Sequence, residues 1–201
     1  MFMQDFTRLC ALSTPVDRPF DTPLAPVTTG LIAGTMLETR AGWQPVQTLR
    51  IGDAVQTLDG GLARIIGIDR RTLTAAAQTT LIQIDGGFGD ACADLMLLPG
   101  QHVLLDTLND AQMNGAPFAM IAAIALLASP GTRRLALQAD LEIITPMFAD
   151  EEVVYANSGV LLHCPGITDG AHGFPDTSFF PRLDAIAARQ FVQRRSALIA
   201  A

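Results

Sequence analysis

The chain has 201 residues, of which 49% are hydrophobic and 16% charged, and its formal net charge is −7. This composition predicts a globular domain with a sizeable core and excludes a wholly disordered chain. Binding to an extended nucleic acid depends on clustered Lys and Arg, so the acidic balance predicts that nucleic acid is not a partner.

The first 29 residues predict an N-terminal arm or linker, because they hold four prolines and no sustained apolar period. Asp5 stands where a secretory signal peptide would carry basic residues, so no such signal is predicted. The longest strongly apolar run, residues 118–128, covers about half of the roughly 20 residues that a membrane-spanning helix needs. We therefore expect no membrane span and a cytoplasmic location by default, with export by another route left open.

Short apolar runs separated by glycine-containing turns indicate β-structure in the middle of the chain. Residues 53–58 and 62–68 flank an Asp-Gly-Gly turn at residues 59–61, where glycine permits the positive φ of a tight turn. This pattern predicts a β-hairpin.

A second hairpin is predicted from residues 153–156 and 160–162, which flank an Asn-Ser-Gly turn. The alanine-rich run at residues 120–128 predicts a helix that ends at Ser129-Pro130-Gly131. Three further strands are predicted, at residues 79–84, 102–105 and 141–148.

The C-terminal part of the chain predicts a loop and then an amphipathic helix. Residues 166–181 are rich in turn-forming residues, and after residue 181 apolar side chains recur at helical spacing. These side chains are Leu183, Ile186, Ala187 and Phe191. We expect the helix to pack on the protein's own core, because its polar face carries too few positive charges to favour a membrane surface.

The reactive side chains do not form a recognisable metal or thiol site. The three cysteines, Cys10, Cys92 and Cys164, are an odd number without the Cys-x-x-Cys spacing of a disulfide framework or a structural zinc site. His163 and Cys164 are neighbours on a predicted strand and so point to opposite faces. We therefore predict no metal and no cofactor, and we interpret these residues as packing residues.

The segment "GLIAGTMLETRAGWQPVQTLRIGDAVQTLDGG", residues 30–61, resembles the first block of the Hint domain family. That family includes Hedgehog autoprocessing domains and inteins, and the likeness is to its bacterial, alphaproteobacterial-type branch. Twelve residues match in order: Gly34, Thr35, Gly42, Pro45, Val46, Leu49, Gly52, Asp53, Val55, Thr57, Asp59 and Gly61.

Two later stretches extend the resemblance. "LPGQHVLL" is similar to the second block, in which a serine or threonine precedes a histidine by three residues, and "EVVYANSGVLLHCPG" is similar to the closing strands. The resemblance implies an all-β Hint-like fold for residues 30–166. Residues 1–29 are then the arm, and residues 167–201 are the loop and the C-terminal helix.

The resemblance implies that active members of the family carry out an acyl shift. The side chain of the first residue attacks the carbonyl before it and converts the peptide into a thioester or ester, which requires a positioned nucleophile and a polarised amide. By this match the bond would join Thr29 to Gly30, and Gly30 carries no nucleophile. Pro99 stands at the serine or threonine position and has neither a hydroxyl nor an N–H. His102 keeps the histidine position and is the one candidate catalytic residue, as a vestige.

The sequence therefore predicts a degenerate, noncatalytic Hint-like scaffold used as a structural or interaction module, whose expected partner is a protein of unknown identity. The alternative hypothesis is a self-cleaving domain that acts at the Thr29–Gly30 bond. Cleavage there would release an arm of 29 residues, so an intact mass distinguishes the two.

Overall fold

The computed structural model describes residues 28–75, 79–87, 92–108, 110–157, 159–167 and 179–199. The predicted arm, apart from Thr28 and Thr29, lies outside the described residues, and so do Cys10 and His172. The proposed domain boundaries stay predictions.

The described residues form 14 β-strands, one α-helix and short 3-10 helices, of which the longest is Ala123–Ala128. This architecture confirms the all-β prediction with a C-terminal helix. The elements are β1 Leu31–Ile32, β2 Met36–Thr39, β3 Gly42–Pro45, β4 Ala54–Thr57, β5 Gly61–Arg64, β6 Gly67–Leu73, β7 Thr80–Ile84, β8 Leu95–Leu97, β9 His102–Asp106, β10 Phe118–Ala122, β11 Thr132–Ala136, β12 Leu141–Met147, β13 Glu152–Ala156, β14 Val160–Cys164 and α1 Ala185–Ile199.

The strands form three antiparallel sheets. The largest runs β10-β9-β14-β13-β2-β4-β5, with β3 paired to β2, and the smaller sheets run β1-β12-β6 and β11-β7-β8. One hydrophobic cluster joins buried side chains from all three sheets and from α1. This shared core brings β1, β9, β12 and β14 to one region, where the candidate site lies.

Both predicted hairpins are confirmed. Strand β4 pairs with β5, and β13 pairs with β14. The prediction for residues 62–68 as one strand is wrong, because the chain changes sheets in the middle of that run. The Ile65 N–H still bonds to the Asp53 carbonyl beside β4, whereas the Ile66 N–H bonds to Met147 at the end of β12.

The predicted helix at residues 120–128 is wrong in its first three residues. Met120 and Ile121 pair with Leu104 and Val103 of β9 and complete strand β10. A short apolar run fits a buried strand as well as a helix, and here the open edge of β9 decides the outcome. Residues 123–128 are helical, but as a 3-10 helix.

The predicted C-terminal helix is confirmed as α1, although its buried face differs from the predicted one. Ala188, Phe191 and Val192 are buried, whereas Ile186 is 73% exposed. The Asp184 carboxylate accepts hydrogen bonds from the N–H groups of Ile186 and Ala187 and so caps the helix. Among the described residues, no helix is both long and apolar enough to cross a membrane.

Candidate functional site

The structure brings Gly30 and His102 to one pocket of about 130 Å³. Gly30 directly precedes β1, and His102 is the first residue of β9. The pocket is lined by Thr29, Gly30, Leu31, Gln101, His102, Thr145, Pro146, His163, Cys164 and Pro165. Pro99 lies in the turn before β9 but is not one of these lining residues.

The N-terminal segment, which we define as Thr28–Gly30, is bound to this turn by two hydrogen bonds. The Gly100 N–H donates to the Thr28 carbonyl at 2.8 Å. The Gly30 N–H donates to the Gln101 side-chain oxygen at 3.0 Å. The approach at Gly100 needs a glycine, because a Cβ there would lie 2.9 Å from the Thr28 oxygen.

Gly30 is the residue on which the candidate chemistry depends, and its surroundings exclude a side chain. Its φ is +117°, a backbone conformation that favours glycine. A Cβ at this position would lie 2.6 Å from Ile143 Cγ2 and 2.9 Å from Thr145 Oγ1. Two residues of β12 therefore fill the space that a nucleophilic side chain on residue 30 would need.

Gln101 connects the N-terminal segment to the strands of the pocket, and sequence reasoning missed it. Only 3% of its surface is exposed. Its side-chain amide donates to the main-chain oxygen of His163 at 2.8 Å and to that of His102 at 3.2 Å, while its oxygen accepts from Gly30. The signal available in the sequence was its place directly before His102 in "LPGQH".

His102 and His163 pack edge to face, with ring centroids 5.9 Å apart. His163 Nε2 lies 3.1 Å from Glu151 Oε2, and Arg182 lies 3.0 Å from the same oxygen. A carboxylate only accepts hydrogen bonds, so Nε2 carries the proton in this pair. With that proton in place, the 3.4 Å contact between Arg182 and His163 Nε2 is not a hydrogen bond.

Glu151 and Arg182 were also missed by sequence reasoning. The hairpin register carried a signal for Glu151, since the pairing of β13 with β14 extends to Glu152 and Cys164 and so brings Glu151 close to His163. Arg182 gave no such signal, because it reaches the pocket from a segment remote in sequence.

Cys164 lines the pocket but is unsuited to act as a nucleophile. Burial, together with the nearby Glu152 carboxylate, raises the pKa of its thiol to about 12, whereas a nucleophilic cysteine needs a lowered pKa. Burial also raises the pKa of Glu152 itself. Burial alternates along β14, with Cys164 fully buried and His163 partly exposed, although both residues line the pocket.

Neither Cys92 nor a metal-binding cluster adds to the site among the described residues. Cys92 is exposed and is not a lining residue. Among the described residues, no cluster of three His, Cys, Asp or Glu side chains has the arrangement of a metal site. The absence of a metal and of a cofactor stays a prediction.

The pocket combines a bound peptide segment and two histidines, and the Glu151 carboxylate outside its lining binds one of them, His163. A carboxylate that orients a histidine is the arrangement by which a base is held for acyl transfer. The segment lines the same pocket as His102, and residue 30 has no side chain that could accept an acyl group.

Comparison with known proteins identifies the family. A family model described as "Hint domain" matches residues 29–161, which is more than half of the chain. No curated protein matches the chain.

Several solved structures are similar in fold. A splice-inactive variant of the AceL NrdHF class 3 split intein has a TM-score of 0.46 at 13% identity, covering 68% of this chain and 97% of that chain. A bacterial intein-like domain from Clostridium thermocellum has a TM-score of 0.44 at 14% identity, with 67% and 98% covered. The gp41-1 intein has a TM-score of 0.45 at 12% identity, with 68% and 98% covered. On the family match, the chain belongs to the Hint domain family.

Proposed function

We propose that this Hint domain holds its N-terminal segment in the pocket without cleaving it, and acts as a noncatalytic structural or interaction module for a protein partner. The observation that carries the proposal is the steric exclusion of any side chain at Gly30 by Ile143 and Thr145. The resemblance of the first block also supports membership of the bacterial, alphaproteobacterial-type branch.

The chemistry of the family explains why this observation matters. An acyl shift needs a nucleophile on the residue that follows the scissile carbonyl, held within reach of that carbonyl. Here residue 30 has only hydrogen, and the surrounding space is already filled. Pro99 further lacks the hydroxyl and the N–H that would help to polarise the amide.

The alternative hypothesis, cleavage of the Thr29–Gly30 bond, has its own support. His102 lines the same pocket as this bond, and the Thr145 hydroxyl lies 2.9 Å from the place where a side chain of residue 30 would begin. If cleavage occurs, this hydroxyl is the replacement nucleophile to test first, with Thr145→Val as the variant.

The first experiment is the intact mass of the purified full-length chain after long incubation with and without dithiothreitol or hydroxylamine. These reagents intercept thioesters and esters, so they accelerate any cleavage that passes through one. We expect one species that retains all 201 residues. Release of residues 1–29 from the unmodified chain would contradict the proposal.

A second experiment tests whether residue 30 and its neighbours account for the missing activity. Gly30→Cys alone should be inert, because the new Cβ collides with Ile143 and because Pro99 stands where the family has a serine or threonine. The triple variant Gly30→Cys, Pro99→Thr, Ile143→Ala should cleave slowly before residue 30. Loss of one well-placed donor typically costs about 100-fold to 1,000-fold in rate, so Pro99→Thr should contribute strongly.

The matched controls for the triple variant separate sterics from catalysis. Omitting Ile143→Ala should abolish or sharply slow the cleavage, and adding His102→Ala should do the same. Equal cleavage with and without Ile143→Ala would refute the steric explanation, and equal cleavage with and without His102 would refute the catalytic role of that histidine.

A further inference from the structure

The last described part of the chain, residues 179–199, lies outside the region that matches the Hint family model and packs along one edge of the domain. We call it the C-terminal strap. The Pro181 carbonyl accepts from the Met120 N–H at 2.9 Å, and the Leu183 N–H donates to the Met120 carbonyl at 3.0 Å. The strap thus begins as a short parallel addition to strand β10.

Helix α1 anchors the rest of the strap. Phe191 and Val192 are buried in the main hydrophobic core. Arg194 forms an ion pair with Asp110 at 2.8 Å, and the Ser129 and Ser196 hydroxyls lie 2.6 Å apart. These contacts fix the strap on the domain body.

The strap also binds Glu151, which lies beside the pocket-lining His163, and both oxygens of Glu151 accept from the strap. The Phe179 N–H donates to Oε1 at 2.7 Å, and Arg182 donates to Oε2 at 3.0 Å. Glu151 Oε2 in turn accepts from His163 Nε2 at 3.1 Å. His163 is therefore held by a carboxylate that the strap itself holds.

The same histidine is bound on its main-chain side to the residue that holds the N-terminal segment. Gln101 donates to the His163 carbonyl at 2.8 Å, and its side-chain oxygen accepts from the Gly30 N–H at 3.0 Å. A continuous set of hydrogen bonds therefore runs from the strap through Glu151, His163 and Gln101 to Gly30. The side chains that link the strap to Gly30 are at least partly buried, with exposures of 12% for His163 and 19% for Glu151. Hydrogen bonds between them are therefore stronger than they would be in water.

We propose that Glu151 and Gln101 are positioning residues that couple the C-terminal strap to the N-terminal segment, so that loosening the strap loosens the hold on Gly30. The proposal rests on the retention of an intact segment in the pocket. The strap is then a part of the Hint site of this chain. Contact of a protein partner with the strap changes how Gly30 is held, and contact with the N-terminal segment changes how the strap is held.

The test is hydrogen exchange at the Gly30 amide in Arg182→Met, measured by NMR on the full-length chain. Removing Arg182 takes away a donor that fixes the position of the Glu151 carboxylate, so the carboxylate becomes more mobile and holds His163 less firmly. We expect the Gly30 amide to exchange about 5- to 10-fold faster. An intact mass of each sample reports cleavage separately, so failure of the coupling is distinguished from failure of the proposed noncatalytic function.

Two controls are built into the chain. The Gly34 N–H also donates to a glutamine side chain, Gln47 Oε1, at 2.8 Å, and its exchange should not change. Arg133→Met removes an arginine of β11 from its ion pair with Asp85, neither of which lines the pocket, and should leave the Gly30 amide unaffected. Faster exchange at both glycines in Arg182→Met, and again in Glu151→Gln, would indicate general loosening and would overturn the proposal.

A double-mutant cycle decides between coupling and a purely local effect. In Gln101→Leu the Gly30 amide loses its acceptor, so adding Arg182→Met should have little further effect on it. Equal, additive effects of the two substitutions would overturn the proposal. So would a change of less than about 2-fold at Gly30 in both Arg182→Met and Glu151→Gln.

Discussion

The N-terminal segment, Thr28–Gly30, and the C-terminal strap, residues 179–199, are both linked to the pocket, the segment by lining it and the strap through Glu151 and His163. The segment is held by main-chain groups, with its Gly30 N–H and Thr28 carbonyl bonded to the turn before β9. The strap also has main-chain bonds, at Pro181, Leu183 and Phe179. Most of its length is held by side chains, through the buried Phe191, the Arg194–Asp110 pair and the Arg182–Glu151 pair. The binding of the N-terminal segment is therefore sensitive to backbone conformation, and the binding of the strap is sensitive to the identity of its side chains.

This difference bears on what can change in each region. A main-chain hydrogen bond tolerates most substitutions, but glycine is favoured at residue 30 by the side chains of Ile143 and Thr145 and at residue 100 by the Thr28 carbonyl. In the strap, many substitutions that leave the backbone conformation unchanged should be tolerated. Its attachment to the domain depends on a few apolar and charged side chains. Three substitutions test this contrast, from the largest expected effect to the smallest.

Phe191→Ala should destabilise the protein most, because it empties a fully buried position between α1 and the core. Truncation of a buried phenylalanine to alanine costs about 3–5 kcal/mol. The measurement is the free energy of unfolding in urea. Ile186→Ala on the same helix is the control, and since Ile186 is 73% exposed, its effect should stay within about 0.5 kcal/mol. Similar losses from the two variants would mean that the helix does not dock by the Phe191 face.

Gly30→Ala should destabilise the protein more than Gly34→Ala. Both glycines have positive φ, +117° and +98°, but a Cβ collides only at residue 30, since nothing lies within 4 Å of one at residue 34. The backbone cost of about 1–2 kcal/mol is common to both, and overpacking against Ile143 should add about 1–3 kcal/mol. Urea denaturation of the pair isolates the steric term. Equal losses would show that the space beside Gly30 opens readily, and would weaken the steric basis of the proposed function.

The Asp110–Arg194 pair should contribute a small, pH-dependent part of the strap's stability. A hydrogen bond from the Gln112 N–H, and then the Arg194 guanidinium, lower the pKa of Asp110 below its ordinary 3.8. A carboxyl with a lowered folded-state pKa stabilises the fold above the unfolded-state value, and that stability is lost as the pH falls through the folded-state pKa.

Asp110→Asn should therefore destabilise the protein by about 0.2–1 kcal/mol at pH 7, and the difference from the unmodified protein should shrink below pH 4. The check is urea denaturation at several pH values between 7 and 3. A difference that is constant over this range would contradict the assignment of the effect to the ionised carboxylate.

The fold class could be predicted from the sequence because the patterns that indicate it, turns and short apolar runs, are local. The turns around residues 59–61 and 157–159 lie between alternating apolar runs, and such turns form wherever the flanking strands pair. The matched first block indicated the family and the position of Gly30, and the second block identified Pro99 and His102 as the other positions to inspect. The prediction of a helix at residues 120–128 was partly wrong, because an apolar run does not reveal whether an unpaired strand edge lies next to it in the fold.

By itself, the sequence determined that residue 30 lacks a nucleophile, that the chain is mainly β and that a helix ends it. Only the tertiary structure decided that Ile143 and Thr145 fill the space beside Gly30, that Gln101 binds its N–H, and that Arg182 completes the network around His163. The physical reason is separation along the chain. Residues 30, 101, 143, 163 and 182 meet through the pairing of strands that are remote in sequence, and no local pattern of apolar and polar residues specifies which side chains face one another across such a meeting.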